Sequence, residues 1–348
     1  MVPIRLFDVL LFLIILGLSD YAVADDAKTD AATPVARQQW LTLQGKDGPG
    51  KGKHVVLITG ANEYNPETGL PLLARILAGQ HGFDCTVLFT LNRAGEIDPN
   101  TSDNLPGLEA LDHADLMIIL ARFTKPTDEQ MKHVVSYLES GKPVIGMRTA
   151  THSFAYPGNS HSIYKKFSWD NHDPAFDGGF GRQVLGETWI THHAPNGSTS
   201  TRGLFANGAA DDPILRGVGD GEIWGSTGVY GIRLPLLANC KPLLFGQVIE
   251  GGKSTGKPAV GKLNDPMMPI AWTRTYSLTE GKTGRVFTTT MGSADDLIKS
   301  PALRRMLVNA TYWATRMEDK IPEKASVDLV GNPMPTLKKG TKPADLQP

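Results

Sequence analysis

The order of apolar and polar segments along the chain predicts buried strands that alternate with amphipathic helices. Four runs are short, almost continuously apolar and rich in β-branched residues, which is typical of strands covered on both faces. They are HVVLITG (54–60), FDCTVLFT (83–90), DLMIILA (115–121) and PVIGM (143–147). Residues 68–80 and 128–141 carry apolar side chains at helical spacing between these runs. This order predicts an α/β fold, a parallel sheet with helices on both faces.

The pattern changes in the middle of the chain. Residues 149–231 are rich in Gly, His, Asp, Asn and Trp, and only short strands are predicted there. We interpret this region as an elaboration over one end of the sheet. Strand patterning returns from residue 241, and a stripe of apolar residues at 3.6 spacing predicts a last helix from Leu303 to Met317. Residues 321–348 are predicted to form an irregular C-terminal tail, so the α/β domain is predicted to cover residues 54–320.

The N-terminus has the pattern of a secretory signal peptide. Arg5 precedes the apolar run Val9–Leu18, and the sequence AVA ends at Ala24. The run is shorter than the ~20 residues that a membrane-spanning helix needs. We therefore expect cleavage after residue 24 and an exported protein, periplasmic or extracellular, without a stable membrane span. A retained anchor is the alternative. Residues 25–53 are polar and are predicted to form a flexible arm.

The composition and net charge of the chain limit the classes of molecule that it is expected to bind. Of 348 residues, 41% are hydrophobic and 20% charged, which is ordinary for a soluble protein, and the net charge is −1. Removal of residues 1–24 takes away one base and two acids, which leaves a neutral chain. Neither nucleic acid nor an anionic membrane is therefore indicated as a partner. The two cysteines, Cys85 and Cys240, are interpreted as free thiols, although export would permit a disulfide. Nothing in the sequence indicates an oligomeric state.

Several cofactor and nucleophile motifs are absent from the sequence. There is no G-x-S-x-G motif and no phosphate-binding P-loop, and GGFGRQVLG (178–186) lacks dinucleotide-binding spacing and is interpreted as a turn. NAD, ATP and flavin are therefore not indicated, and no cofactor is predicted. Five of the nine histidines lie between His152 and His193, but without metal-binding spacing. No metal is predicted, and a metal-dependent hydrolase is kept as a third alternative.

Most of the candidate site residues follow the predicted strands, and Glu187, His192 and His193 are taken from the middle region. Ligands of open parallel sheets bind at the carboxyl ends of the strands. Catalysis is assigned to His152 or His192 as the proton carrier, with Glu63 or Glu187 as partner, and to Arg148 as the stabiliser of a developing oxyanion. The predicted substrate-binding residues are Asn62, Tyr64, Arg122, Thr149, Glu187 and His193. Glu63 has a second interpretation as a helix-capping acid, and Arg122 as a surface ion-pair residue. His192 and His193 are adjacent, so in a strand only one of them can face a given site.

Six stretches in this order resemble the ThuA-like (trehalose utilisation) family. They are HVVLITGANEYNPE, GKPVIGMRTATHSF, GGFGRQVLGETWITHH, DPILRGVGDGEIW, MPIAWTRTY and GRVFTTTMGSADDL. The resemblance covers about residues 54–320 and implies a flavodoxin-like, class I glutamine amidotransferase-like fold and a role in carbohydrate use. The N-terminal signal and the EDKIPEKASVDLVG tail resemble an exported, planctomycete-type branch of that family.

The chain departs from this family at two positions. Glutamine amidotransferases have Cys, and many ThuA-like proteins have His, at the turn where this chain has Arg148. Many ThuA-like proteins also have His where this chain has Ser293. An arginine cannot act as the nucleophile, so glutamine amidotransferase activity is not expected.

Two functional hypotheses follow. The first is an exported enzyme, a hydrolase, lyase or isomerase, that acts on a sugar, keto-sugar or glycoside by acid/base chemistry. For a glycosidase, Glu63 and Glu187 are the candidate carboxylate pair. The second is a non-catalytic carbohydrate-binding or scaffold protein that has lost the nucleophile. Four tryptophans are candidates for stacking on sugar rings, with core packing as the favoured interpretation, and they are Trp169, Trp189, Trp224 and Trp272.

Overall fold

The structure of the chain is a computed structural model that describes residues 38–331 and 336–348. The predicted signal peptide and most of the predicted flexible arm lie outside these residues. Within the described ranges, no helix combines the length and the apolar character needed to cross a bilayer.

The described residues form twelve strands and four α-helices. The strands are β1 (Trp40–Leu43), β2 (His54–Gly60), β3 (Asp84–Leu88), β4 (Leu116–Ala121), β5 (Val144–Met147), β6 (Trp189–His192), β7 (Thr199–Phe205), β8 (Ile223–Gly225), β9 (Tyr230–Ile232), β10 (Lys241–Glu250), β11 (Met268–Thr279) and β12 (Lys282–Thr289). The helices are α1 (Pro66–His81), α2 (Asp128–Glu139), α3 (Ala294–Lys299) and α4 (Pro301–Ala314). The predicted helices over 68–80 and 128–141 are therefore confirmed, and the last helix ends three residues earlier than predicted.

Ten strands form one sheet in the order β1-β3-β2-β4-β5-β12-β11-β10-β7-β8, and β6 and β9 pair separately as a two-stranded ribbon. The neighbours from β3 to β12 are parallel, as the sequence predicts. The α/β fold is confirmed. From β12 outwards the strands pair antiparallel, which the sequence pattern did not predict. β11 and β12 are joined by a tight turn, and a short hairpin can join only antiparallel strands. This turn explains why the pairing changes from parallel to antiparallel at β12.

Successive side chains of the central strands enter two different cores. On β2, Val55 and Leu57 pack in the core that contains α1 and α4, whereas Val56 and Ile58 pack in the core that contains α2. The apolar residues of β4 alternate in the same way. Burial on both faces explains why these strands are continuously apolar in the sequence.

Two segments outside the predicted domain are ordered parts of the fold. Residues 40–43, which were predicted to belong to a flexible arm, form β1 at the edge of the sheet and bury Leu41 and Leu43. The described part of the C-terminal tail is irregular apart from a short 3-10 helix at Pro343–Leu346. The carbonyl oxygen of Val327 in this tail accepts a hydrogen bond from Nε of Arg304 at 2.7 Å. Both cysteines are free thiols.

Candidate functional site

The candidate site lies at the carboxyl ends of three neighbouring parallel strands. β2, β4 and β5 are adjacent in the sheet, so the segments that follow them meet at one edge. These segments are residues 62–64, residues 122–123 and the 3-10 helix Arg148–His152. The β6–β9 ribbon adds a wall on the opposite side.

Together these elements line a narrow cleft whose internal free volume is about 20 Å³ and whose mouth is open to solvent. Its lining residues are Glu63, Tyr64, Arg122, Phe123, Arg148, Thr149, His152, Trp189, His192 and Tyr230. Seven of the ten residues predicted from the sequence are therefore brought into one cleft, and they include the catalytic candidates Glu63, Arg148, His152 and His192.

Backbone strain is concentrated at this cleft. Five non-glycine residues of the described chain have positive φ, and three of them line the cleft: Tyr64 at 70°, Phe123 at 52° and Arg148 at 44°. Each follows the end of a different parallel strand. A side chain in this conformation costs roughly 1–2 kcal/mol relative to ordinary backbone geometry. Such strain persists only where the surrounding structure holds it, and it is commonest at functional sites.

Arg148 is a buried cation that is fixed by neutral groups. Its side chain is 3% exposed, and Nη1 donates to the carbonyl oxygens of Gly228 (3.1 Å) and Thr290 (2.8 Å). Nη2 donates to the hydroxyl of Tyr64 at 3.1 Å. The guanidinium also lies over the rings of Tyr64 and Tyr230, 4.5 and 5.4 Å from their centres. Among the described residues, no carboxylate lies within 4 Å of it, so its charge has no counter-ion there.

His152 lies beside this cation and is 4% exposed. Its Nδ1 is hydrogen-bonded to Oγ1 of Thr151 at 3.2 Å, and its ring packs against those of Phe123 and Trp189. Burial, together with the positive charges of Arg122 and Arg148, lowers the pKa of His152 to about 3. The imidazole is therefore neutral at physiological pH, and it enters any reaction as a proton acceptor or a neutral hydrogen-bonding group.

The β6–β9 ribbon supplies Trp189, His192 and Tyr230. A register shift between Trp189 and Thr191 allows Trp189 and His192 to line the same cleft although they are three residues apart. The hydroxyl of Tyr230 donates to the carbonyl oxygen of Arg148 at 2.7 Å, which ties the ribbon to the strained turn. Burial raises the pKa of Tyr230, so its hydroxyl stays protonated.

The prediction that His193 binds substrate needs correction. Its Nε2 is hydrogen-bonded to the carbonyl oxygen of Leu263 at 2.9 Å, and it does not line the cleft. Adjacent strand residues point to opposite faces, and His192 is the one of the pair that faces the cleft.

A second correction concerns Glu187. Its side chain is completely buried and forms ion pairs with Arg182 and Arg233. Asp177 joins the network through Nη1 of Arg233 at 2.8 Å. A buried carboxylate with two cations is held by pairing and is not free to take a proton from a ligand. Glu187 is therefore outside the cleft, and the candidate carboxylate pair of a glycosidase is not assembled.

Glu63, Asn62 and Arg122 form the polar mouth of the cleft. Oε1 of Glu63 lies 3.7 Å from Nη1 of Arg122, which also donates to Oδ1 of Asn62 at 2.9 Å. Asn62 does not itself line the cleft, which corrects its predicted place, but it positions Arg122. Glu63 is 46% exposed in its side chain and is the one carboxylate among the lining residues.

Three lining residues were not among the ten predicted site residues: Phe123, Trp189 and Tyr230. The expectation that ligands bind at the carboxyl ends of the strands, here called the strand-end rule, could have identified Phe123, because Phe123 directly follows Arg122. Trp189 was recognised only as one of four tryptophans, and Trp272 among these is a core residue with no exposed surface. No sequence signal places Tyr230, because its position depends on the pairing of two short strands.

The described side chains do not cluster as metal ligands do. Within residues 38–331 and 336–348, no group of three or more His, Cys, Asp or Glu side chains is arranged to hold a metal ion.

Comparisons with known proteins agree with the sequence resemblance. The sequence profile of the ThuA family, described as trehalose utilisation, matches residues 55–314. No curated protein sequence matches the chain. One similar solved structure is a ThuA-like protein from Parabacteroides merdae, with 14% identity, a TM-score of 0.45, and coverage of 86% of this chain and 100% of the other. Another is a ThuA-like protein from Bacteroides uniformis, with 14% identity, a TM-score of 0.46, and coverage of 78% and 94%.

Proposed function

The chain belongs to the ThuA family, and from this premise we propose that it binds a sugar, keto-sugar or glycoside in the cleft and transforms it by acid/base chemistry. The observation that carries the proposal is the convergence of a neutral histidine and a buried, uncompensated arginine in one cleft. Fixed cationic donors stabilise the negative charge that develops on oxygen when a proton is removed beside a carbonyl.

The wall of the cleft also suits a carbohydrate. Phe123, Trp189 and Tyr230 are aromatic lining residues, and aromatic faces pack well against the apolar face of a sugar ring. Trp169 supports this wall, with its ring 5.4 Å from that of Trp189. The polar lining residues Glu63, Arg122 and Thr149 provide hydrogen-bond partners for hydroxyl groups.

The side chains divide the chemical steps as follows. His152 accepts the proton from the substrate, and Arg148 stabilises the resulting oxyanion or enediolate. His192, which lies at the exposed side of the cleft, exchanges the proton with solvent, and Glu63 is the alternative carrier. Negative charge that builds up beside His152 offsets Arg122 and Arg148, so its basicity rises as the reaction proceeds.

The test is turnover of a panel of sugars, 3-keto sugars and glycosides by purified protein. Loss of turnover in His152→Gln, with the fold retained, supports the proposal. The matched control is His161→Gln, which removes an exposed histidine elsewhere. Turnover at the wild-type rate in His152→Gln would refute the assignment of the base.

A second candidate function is a carbohydrate-binding protein without catalysis. It is favoured by the low basicity of free His152 and by the single carboxylate among the lining residues. Binding of a sugar without any turnover across the same panel would support this candidate against the enzyme.

Export remains a proposal that the sequence pattern supports. We propose cleavage after Ala24, which would leave Asp25 as the first residue of the mature chain. The proposed planctomycete-type origin of the exported branch rests on the same pattern. N-terminal sequencing of the protein from its native cells tests the cleavage, and recovery of the intact N-terminus would contradict it.

A further inference from the structure

The hydrogen-bond donors of Arg148 leave part of its guanidinium without a partner. An arginine has five N–H donors and keeps its charge in proteins. Both donors of Nη1 and one of Nη2 are used, on Gly228, Thr290 and Tyr64. Nε is buried and has no hydrogen-bond partner among the described residues. Nε–H and one Nη2–H therefore remain for a ligand.

Thr149, the next residue along the chain, also has a side chain without a hydrogen-bond partner in the described part of the chain. It is 2% exposed and lines the cleft, and its Oγ1 is buried without a partner in the described part of the chain. A buried hydroxyl that is left unpaired costs about 1–3 kcal/mol. Two neighbouring side chains of the cleft thus have unused donors that are more than nine-tenths buried.

The charges of the lining residues indicate which kind of ligand group would bind to these unused donors. The fixed charges of the lining residues are Arg122, Arg148 and Glu63, and Glu63 is the partner of Arg122 at the mouth. The carbonyl oxygens and tyrosine rings around Arg148 solvate its charge but do not neutralise it. A buried charge without a counter-ion is unfavourable, so a single negative charge on the ligand would complete the site.

We propose that the cleft binds an acidic sugar, and that Arg148 and Thr149 hold its carboxylate. This inference rests on the proposed carbohydrate function and specifies the substrate class. Two parallel N–H donors and one hydroxyl match the two oxygens of a planar carboxylate. A phosphate ester carries more oxygens and nearly two charges, which exceeds the two free N–H donors and the single uncompensated charge.

The test compares matched pairs of sugars in low-salt buffer. Dissociation constants are measured by calorimetry for galacturonate against galactose and for glucuronate against glucose, with glucose 6-phosphate as a further arm. We expect each uronate to bind at least about ten-fold more tightly than its neutral counterpart, as a charge-assisted hydrogen bond to a buried arginine gives.

Thr149→Val keeps the shape of the side chain and removes only the hydroxyl. We expect it to reduce the affinity for uronates about three- to ten-fold and the affinity for the neutral sugars by a smaller factor. Thr288→Val is the matched control, because the Thr288 hydroxyl is buried but already donates to the carbonyl oxygen of Leu185, outside the cleft. It should leave the preference for uronates intact.

The outcomes separate this inference from the proposed function. Equal binding of neutral and acidic sugars would overturn the carboxylate site and leave the carbohydrate proposal standing. Preference for glucose 6-phosphate, or an equal loss of both sugar classes in Thr149→Val, would also overturn the carboxylate site. Failure of every sugar to bind would remove the proposed function itself.

Discussion

Tyr64 and Arg148, which are 84 residues apart in sequence, contact each other beyond the ends of β2 and β5. Nη2 of Arg148 donates to the Tyr64 hydroxyl at 3.1 Å, and the guanidinium carbon lies 4.5 Å from the centre of the tyrosine ring. Both residues have positive φ, at 70° and 44°. Two strained turns therefore hold one another, and the contact fixes the position of the buried cation.

Tyr64→Phe should weaken ligand binding more than stability. The variant keeps the ring over the guanidinium but loses the oxygen that accepts from Arg148 and from Nδ2 of Asn196. The affinity for the bound sugar should fall about three- to ten-fold, as loss of one or two hydrogen bonds predicts. Tyr276→Phe is the control, because its hydroxyl donates to the carbonyl oxygen of Lys142 away from the cleft. Reduced stability of Tyr64→Phe with unchanged affinity would contradict this role.

Glycine should replace Arg148 with less loss of stability than alanine. Glycine adopts positive φ freely, whereas alanine at 44° keeps the strain. Urea unfolding should show Arg148→Gly to be about 1 kcal/mol more stable than Arg148→Ala. At Arg122, which has no positive φ, the order should reverse. The same order at both positions would show that the backbone at Arg148 is not strained.

The sequence predicted those parts of the molecule that depend on local pattern. The continuous apolar runs of β2 and β4 identified a parallel sheet, and the strand-end rule correctly placed Tyr64, Arg148 and His152 at one edge of it. Glu187 was taken from the middle region and not from this rule, and its ion pairs with Arg182 and Arg233 depend on chain folding and leave no trace in sequence spacing. Long-range strand pairing is likewise invisible locally, which explains why the antiparallel half of the sheet was missed.

His152 should make the protein less stable in acid. Its folded pKa of about 3 lies below the unfolded value of 6.5, so the unfolded chain binds a proton first as the pH falls. The contribution of the neutral imidazole to the stability of the folded state is present above pH 6.5 and is lost between pH 6.5 and about pH 3. From pH 7 to pH 5 this loss amounts to about 2 kcal/mol, at ~1.4 kcal/mol per unit.

Urea unfolding of the wild type and His152→Gln at pH 7 and pH 5 checks this expectation. The variant should lose about 2 kcal/mol less than the wild type over this interval. His161→Gln controls for the general effect of removing a histidine. Parallel losses in the wild type and His152→Gln would contradict the buried, neutral imidazole.

Glu67 should have the opposite pH dependence. Burial in the first turn of α1 raises its pKa to about 6, from an ordinary value of 4.5. The folded state thus holds the proton longer, and stability is lost as the pH rises from about 4.5 through 6. Between pH 4 and pH 8, the free energy of unfolding of Glu67→Gln should rise by about 1–2 kcal/mol relative to that of the wild type. The exposed Glu139→Gln is the control, and a constant difference for Glu67→Gln across this range would contradict the prediction.

Substitution of Glu63 distinguishes a catalytic role of its carboxylate from a structural one. Its ion pair with Arg122 is 3.7 Å long, and its carboxylate is half-exposed, so the pair contributes at most about 1 kcal/mol to stability. Glu63→Gln should therefore leave the unfolding midpoint almost unchanged. If its carboxylate carries the proton between the cleft and solvent, turnover of the sugar that the wild type transforms should fall about 10²- to 10⁴-fold.

Glu129→Gln is the matched control for this substitution. It removes a carboxylate that pairs with Lys132 on the surface of α2, so both turnover and stability should stay at wild-type values. Full turnover in Glu63→Gln would assign proton exchange to His192, because His192 is then the remaining exposed titratable group of the cleft. The double variant Glu63→Gln with His192→Gln would then be expected to lose turnover, and continued turnover in it would contradict both assignments.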